Sequence, residues 1–201
     1  MLESVIISVY DKKNLKSLMK GMRKINSDVR VFSSGETASA IKKLGYEVTK
    51  IPIYTDFPES PGGLTKTLHP KVHGGILLDR DKATEKEYLE ENNIRTFNLV
   101  VCNLYPFEKT ISRGAPRKEI VENIDIGGQT LIRSAAKGAL RHGKVAPVVD
   151  PEDYEKIIEE MTENDGELSD GTVIALAHKA FDLSWKYEEK IRNWTEELVE
   201  G

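Results

Sequence analysis

Short apolar runs rich in β-branched residues alternate with stretches of helical periodicity through most of the chain. The runs that predict strands are residues 5–9, 29–32, 46–49, 98–102 and 145–150. Helical periodicity follows Asp11, where Leu15 and Leu18 share one face, and it follows the turn at 33–37. Strands and helices in this order predict βαβ units, and therefore a mostly parallel sheet flanked by helices. Pro147 predicts an edge position for the last strand, because proline cannot donate a ladder hydrogen bond.

The pattern changes in the last quarter of the chain. Helical periodicity over residues 151–163 and 169–197 predicts two further helices, with no strand after them. We therefore expect an α/β fold over residues 1–201, in which a body at 1–150 carries a C-terminal helical extension at 151–201.

Charge is divided unevenly between these two parts. Of the 29 basic and 33 acidic residues, the first 150 residues hold 24 and 18, and the remainder hold 5 and 15. A basic body suits a small anionic ligand, although an acidic solvated tail explains the same division. The net charge of −4 argues against nucleic-acid binding.

The sequence also bounds the location of the protein. Cys102 is the one cysteine, so an internal disulfide framework is excluded and a reducing, cytoplasmic location is expected. No apolar run approaches the roughly 20 residues that span a membrane, and no basic leader opens the chain.

Parallel sheets bind ligands at the carboxyl ends of their strands. The turn after the second predicted strand contains Ser34, Gly35 and Thr37, which suit a phosphate at a helix N-terminus. The alternative is that Ser34 simply caps the following helix. Glu36 argues against a phosphate there, unless its carboxylate points away.

Residues 54–75 contain three prolines and four glycines, a composition that predicts irregular structure over most of the segment. A loop of this length in a compact domain is usually functional. His69 and His73 have a spacing that suits a metal on a helix, but Pro70 lies between them and no accompanying glutamate is present, so a metal site is a weak hypothesis.

A second glycine-containing turn at 123–130 precedes a helix predicted at 131–140. Asp125 in this turn is either a helix N-cap or a proton acceptor held beside backbone donors. Tyr105 precedes a proline and is held extended. Cys102 is interpreted as a small buried residue, since nothing near it in the sequence lowers the pKa of a thiol.

Several of these segments together resemble one known family. Residues 66–75, 103–107, 124–128 and 135–137 resemble, in order, the inosine monophosphate (IMP) cyclohydrolase family, the N-terminal domain of the bifunctional purine biosynthesis protein. Residues 8–12 and the turn at 33–37 also match in position. The resemblance implies a fold similar to methylglyoxal synthase and no metal or organic cofactor. It implies conversion of 5-formamidoimidazole-4-carboxamide ribotide to IMP with loss of water.

The resemblance also implies functional residues. The catalytic positions are Lys66, Tyr105, Asp125 and Lys137. We expect Asp125 to accept a proton or orient the carboxamide, Lys66 to donate to the formyl oxygen, and Tyr105 to orient the reacting amide. Lys137 is expected to tune Asp125 or share its proton. However, twelve residues of continuous helix span about 18 Å. The two can therefore share a site only if the glycine pair lets Asp125 fold back, or if the helix starts late and the lysine reaches. The substrate-binding positions are Ser8, Lys12, Ser34, Gly35, Thr37, Thr67, Asn103, Ile126 and Gly127.

Some positions depart from the family pattern. Leu64 stands where arginine is usual, which removes a phosphate ligand. We expect weaker phosphate contacts or a substituted cation, Lys12 or Lys71. The other departures are Tyr10 for serine, Glu36 for a second glycine, Gln129 for proline and Gly138 for asparagine.

The expected partners follow from the same resemblance. They are a small purine ribotide and a separate formyltransferase that supplies it, because no formyltransferase domain follows in this chain. A free-standing enzyme and an excised domain fit equally, and a homodimer is left open. No nucleic-acid or membrane partner is expected.

Two alternative functions remain. One is a nucleotide-binding module with impaired catalysis, which binding without turnover would identify. The other is a phosphosugar lyase similar to methylglyoxal synthase, which would have an aspartate- and histidine-centred site.

Overall fold

The computed structural model describes residues 1–200. Its centre is a sheet of five parallel strands in the order β3-β2-β1-β4-β5. The strands are β1 (Ser4–Val9), β2 (Arg30–Ser33), β3 (Thr49–Lys50), β4 (Leu99–Asn103) and β5 (Ala146–Val148). β1 pairs with β4 in a register that sets Ser8 beside Cys102 and Val9 beside Asn103. The predicted mostly parallel α/β sheet is confirmed.

Helices cover both faces of the sheet. They are α1 (Leu15–Ile25), α2 (Gly35–Lys43), α3 (Ile51–Thr55), α4 (Pro70–Leu77), α5 (Ala83–Glu91), α6 (Phe107–Ser112), α7 (Arg117–Glu122), α8 (Ile126–His142), α9 (Tyr154–Glu163) and α10 (Asp170–Glu200). α10 is one continuous helix of 31 residues that packs along α8 and β5. None of the described helices is both long and apolar enough to cross a membrane.

The core forms where β1 and β4 bury apolar side chains on both faces of the sheet. This burial explains why both strands are mainly apolar, as is typical of central parallel strands. A smaller apolar cluster lies under the second half of α10. It consists of Phe107, Ile120, Tyr187 and Trp194. This cluster packs α6 and α7 against the C-terminal helix.

The structure differs from the sequence prediction at three places. β3 has only two residues, because it pairs with β2 only at Phe32–Thr49 and Ser33–Lys50. The segment 54–75 is less irregular than its composition predicted, since α4 begins at Pro70, where proline fits a first helical turn. The helix predicted at 131–140 is longer and begins at Ile126, with both glycines of the turn inside its first turn.

Candidate active site

A cavity of about 370 Å³ opens at the carboxyl edge of the sheet. It lies over the ends of β1, β2 and β4, where the strand order reverses around β1. Its lining includes Ser8, Val9, Tyr10, Lys12, Ser34, Gly35, Glu36, Thr37, Glu59, Gly62, Gly63, Leu64, Lys66, Thr67, Asn103, Tyr105, Glu122, Ile124, Asp125, Ile126, Gly127 and Gly128. Twelve of the thirteen residues that the resemblance assigned to the site are therefore brought together.

The Asn103 side chain holds the loop that follows β1. Its Oδ1 accepts hydrogen bonds from the backbone N–H of Tyr10 at 2.7 Å and of Asp11 at 2.9 Å. Its Nδ2 donates to the Asp11 carbonyl at 3.0 Å. These bonds use most of the hydrogen-bonding capacity of the Asn103 side chain. Its observed role is therefore to hold the loop that forms this wall of the cavity.

The N-terminus of α2 forms a second wall. Gly35 has a φ of 53°, a left-handed conformation that favours glycine. The Thr37 hydroxyl donates to the Val9 carbonyl at 2.9 Å and accepts from the Val9 N–H at 3.2 Å, which ties α2 to the end of β1. Ser34 occupies the N-cap position but makes no side-chain capping bond, so the capping interpretation of Ser34 is wrong. The Glu36 side chain is 95% exposed, and its carboxylate lies 3.8 Å from Lys12 Nζ.

Lys66 and Thr67 enter the cavity from the segment before α4. A Cβ added at Gly35 would lie 3.4 Å from Lys66 Nζ, so the ammonium group is close to the start of α2. The Thr67 hydroxyl is buried and has no hydrogen-bond partner within residues 1–200. It lies 2.8 Å from the position that a Gly127 Cβ would occupy. An unpaired buried hydroxyl in a cavity wall is available to a ligand.

Asp125 is the N-cap of α8. Its Oδ1 accepts the Gly128 N–H at 2.7 Å, while the N–H groups of Ile126 and Gly127 lack helical partners because they open the helix. Burial raises the pKa of Asp125 above its usual range, and the N–H groups of Gly128 and Tyr105 and the Lys66 charge act in the opposite direction. Capping and proton acceptance, left as alternatives by the sequence, are compatible in this geometry.

Two tyrosines stand at the rim beside Asp125. The rings of Tyr10 and Tyr105 meet edge to face with centroids 5.5 Å apart. Burial raises the pKa of Tyr105, and the negative charges of Asp125 and Glu36 raise it further. Tyr105 therefore keeps its proton at neutral pH and is a hydrogen-bond donor toward the cavity.

Residues 14–130 match the MGS-like domain family, which is more than half of the chain. The chain belongs to the MGS-like domain family. Residues 135–200 match the AICARFT/IMPCHase bienzyme family. The boundary between the two matches falls inside α8, so α9 and α10 lie in the part of the chain that matches the bienzyme family.

Similar proteins agree with these two matches. The bifunctional purine biosynthesis proteins PurH of Prochlorococcus marinus (strain MIT 9301) and Persephonella marina (strain DSM 14350 / EX-H1) are 42% and 44% identical over 94% and 92% of this chain. The chain spans only 35% of the length of either relative. A solved structure titled "Crystal structure of ForH" superposes with a TM-score of 0.80 at 28% identity, covering 96% of this chain and 98% of that one.

Lys137 is not among the residues that line the cavity of this MGS-like domain. It lies on an exposed face of α8, twelve residues beyond Asp125 along an unbroken helix, or about 18 Å along the axis. Direct proton sharing between these two side chains of one chain is therefore excluded by geometry. The catalytic position of Lys137 stays a prediction from the resemblance.

Other sequence hypotheses are resolved by the contacts. Lys71 lies outside the cavity, with Nζ 6.0 Å from the centre of the Tyr54 ring, so it does not replace the missing arginine. His69 Nδ1 caps α4 by accepting the Lys71 N–H, and His73 Nδ1 lies 2.9 Å from Ser134 Oγ. Within residues 1–200, no group of three metal-ligating side chains is found. Cys102 is buried, and burial raises the pKa of its thiol, as expected for an unreactive cysteine.

Sequence reasoning missed several residues of the site. Glu59 and Glu122, which were not predicted, line the cavity of the MGS-like domain. Leu64, which the sequence did single out, is 61% exposed at its rim. Glu122 ends α7, a short helix that was not predicted. Tyr187 was also missed, although its hydroxyl contacts the backbone of Asp125. No local signal marks Tyr187, because the contact joins residues 62 positions apart.

Proposed function

We propose that this chain is an IMP cyclohydrolase. It closes the ring of 5-formamidoimidazole-4-carboxamide ribotide to give IMP and water. The observation that carries the proposal is the convergence of Lys66, Tyr105 and Asp125 on one cavity beside the N-terminus of α2. The match of residues 135–200 to the AICARFT/IMPCHase bienzyme family supports it, as do relatives named as bifunctional purine biosynthesis proteins.

The reaction requires a weak nucleophile to attack a weak electrophile. The carboxamide nitrogen forms a bond to the formyl carbon, and the formyl oxygen leaves as water after gaining two protons. One proton comes from the carboxamide nitrogen and the other from the formamide nitrogen, where the new C=N bond forms. Both reacting groups sit on one imidazole ring, so the substrate itself supplies proximity. The protein must supply conformation, proton transfer and charge stabilisation.

Asp125 is the proposed proton acceptor. A carboxylate whose pKa is raised by burial is a stronger base than an exposed aspartate, so it is better suited to accept an amide proton. Its bond to the Gly128 N–H keeps the carboxylate in one orientation. The amide that loses its proton is thereby aligned with the formyl carbon.

Lys66 and the start of α8 are the proposed electrostatic partners of the formyl oxygen. Negative charge develops on this oxygen during attack, and a cation or unpaired backbone N–H groups stabilise it. Lys66 provides the cation, and the N–H groups of Ile126 and Gly127 provide the backbone donors. Tyr105, which remains protonated, orients the reacting amide by hydrogen bonding.

The ribotide phosphate is proposed to bind at the N-terminus of α2. Ser34, Gly35 and Lys12 line this end of the cavity. The Glu36 carboxylate beside Lys12 is 95% exposed, so solvent screens its repulsion of a phosphate. Leu64 offers no charge at the rim. We therefore expect Lys12 to supply the cation that arginine usually gives. Ser8, Thr67 and Asn103 line the remaining surface.

Further proposals concern the domain organisation, partners, oligomeric state and location of the protein. We infer that residues 1–150 and the helical extension act as one domain, supported by the packing of α10 on α8 and β5. A formyltransferase is the proposed supplier of substrate, in keeping with the names of the relatives. A homodimer in the cytoplasm is proposed as well, supported by exposed Leu140, Ile174 and Trp185 on α8 and α10. Neither nucleic acid nor membrane takes part in this reaction.

The test is direct turnover of the formylated ribotide, followed by the ultraviolet change as IMP forms. Asp125→Asn is the first variant, because asparagine caps a helix as well as aspartate but cannot accept the proton. We expect kcat to fall by about 10²–10⁴-fold. Lys66→Ala is the second variant, with an expected loss of about 10²–10³-fold. Lys118→Ala, which removes an exposed lysine from α7, is the matched control and should retain activity.

Two results would redirect the assignment. Ribotide binding without turnover by the wild type would identify a nucleotide-binding module with a lost reaction. Elimination of phosphate from a phosphosugar would identify a lyase. The lining of the cavity within residues 1–200 has no histidine, so it does not favour the aspartate- and histidine-centred chemistry expected of that lyase.

A further inference from the structure

The hydroxyl of Tyr187 closes the turn that presents Asp125. It accepts the backbone N–H of Asp125 at 2.8 Å and donates to the backbone carbonyl of Asn123 at 2.9 Å. One side-chain oxygen thus joins the carbonyl and the N–H on either side of Ile124. Burial raises the pKa of Tyr187 to about 12, so the hydroxyl keeps the proton that it donates.

The same helix makes a second contact with the start of α8. Gln129 Nε2 donates to the Ser184 carbonyl at 3.3 Å and to Glu188 Oε1 at 3.0 Å. Tyr187 lies between these two acceptors on α10. The first turn of α8 is therefore held from behind by one patch of α10, while its Asp125 side chain lines the cavity in front.

The position of this turn matters for proton transfer. Asp125 is the last residue before α8, so its backbone orientation determines where its carboxylate stands. Loss of the Tyr187 hydroxyl removes the hydrogen bond that holds the Asp125 N–H in the structure. A shift of about 1 Å in a reacting group lowers a rate by up to about 100-fold.

We propose that Tyr187 is a positioning residue for Asp125, and that α10 acts in the ring closure through this hydroxyl. The proposal rests on the proposed function. It gives the C-terminal extension a task in catalysis, although α10 contributes no residue to the cavity lining. The contact joins Asp125, which lies within the MGS-like match, to Tyr187, which lies within the bienzyme match.

A purely structural role for Tyr187 would rest on its ring. The ring packs against Phe107 with centroids 6.0 Å apart, within the cluster that includes Trp194. Tyr187→Phe keeps this packing and removes only the hydroxyl. Tyr54→Phe is the matched control, because the Tyr54 hydroxyl also joins two backbone groups, accepting from Arg95 N–H at 2.8 Å and donating to the Lys71 carbonyl at 3.4 Å. Tyr54 lies outside the cavity.

The experiment compares kcat, KM and urea unfolding for the wild type and both variants. We expect Tyr187→Phe to lower kcat by about 10–100-fold with KM changed less than about two-fold, because the substrate contacts remain. Tyr54→Phe should lose comparable stability and keep kcat within about two-fold. Equal kcat values in the two variants would overturn the proposal.

Amide hydrogen exchange separates this proposal from the proposed function. The Asp125 N–H should exchange at least about ten-fold faster in Tyr187→Phe than in the wild type, while the amides of β1 are unchanged. If the wild type does not turn over the ribotide, the proposed function fails, and the exchange rates alone decide the positioning role. If Tyr187→Phe does not fold, exchange of the Asp125 N–H in the wild type is the test. Slow exchange supports the hydrogen bond to Tyr187, and exchange at the rate of an open loop overturns the proposal.

Discussion

Replacing Gly128 by alanine tests how tightly the Asp125 carboxylate is held. A Cβ at Gly128 would lie 2.5 Å from Asp125 Oδ2 and 2.8 Å from Leu104 Cδ2. Neither distance is tolerated, so the carboxylate must move away from the first turn of α8. The variant should lose the helix cap, which is worth about 1 kcal/mol, and should strain the packing by about 1–3 kcal/mol.

The gain from replacing glycine in a helix partly offsets these losses. It amounts to at most about 1 kcal/mol, which leaves a net destabilisation of about 1–4 kcal/mol. Gly171→Ala is the matched control. Gly171 also lies in a helix, α10, and a Cβ there would meet nothing within 4 Å. That variant should be as stable as the wild type or gain up to about 1 kcal/mol.

Urea unfolding of both variants gives the free energies, and the cyclisation assay gives the effect on chemistry. Displacement of the carboxylate should lower kcat by about 100-fold in Gly128→Ala and leave it unchanged in Gly171→Ala. If Gly128→Ala matched Gly171→Ala in both stability and kcat, the carboxylate would not be held where the structure has it.

Three further predictions follow from the electrostatics. Burial raises the pKa of Asp125 in the folded protein, so the wild type loses stability as the pH rises from the unfolded to the folded pKa. Asn has no charge to bury, so Asp125→Asn should be more stable than the wild type between pH 4 and 7, as measured by urea unfolding. The Lys144 ammonium group lowers the pKa of Asp79 to about 2, and Lys144→Met should return the Asp79 titration toward its ordinary range in carboxyl NMR spectra. Cys102 should resist alkylation in the native protein and react once urea unfolds it, as measured by mass spectrometry.

The central strands were predictable because burial on both faces leaves a local signature. β1 and β4 consist mainly of buried apolar residues, and residues at and just after their carboxyl ends are among those that line the cavity. The short helices were not predictable in the same way. α6 and α7 have six residues each, too few for a periodic pattern, and they pack on α10 and on each other through residues distant in sequence.

Site residues in turns with a recognisable local pattern were predictable from the sequence. Contacts from residues distant in the chain were not. Asp125 was recognisable as both a cap and an acid–base candidate from its turn alone. The contact from Tyr187, in contrast, depends on how a 31-residue helix lies across the domain. The pairing of Glu36 with Lys12 depends on side-chain conformation, which residue identity does not determine.

The two edges of the sheet also affect the tendency of the protein to aggregate. An unpaired edge strand is a template for adding strands from other chains. β5 has three residues with Pro147 at its centre, and the Ala146 N–H is already bonded to Asn98 on the β4 side, so the proline nitrogen faces outward without a proton. At the opposite edge, β3 is two exposed residues long and ends in Lys50. Neither edge supports strand addition, so the sheet is protected against aggregation even where its parallel strands are most apolar.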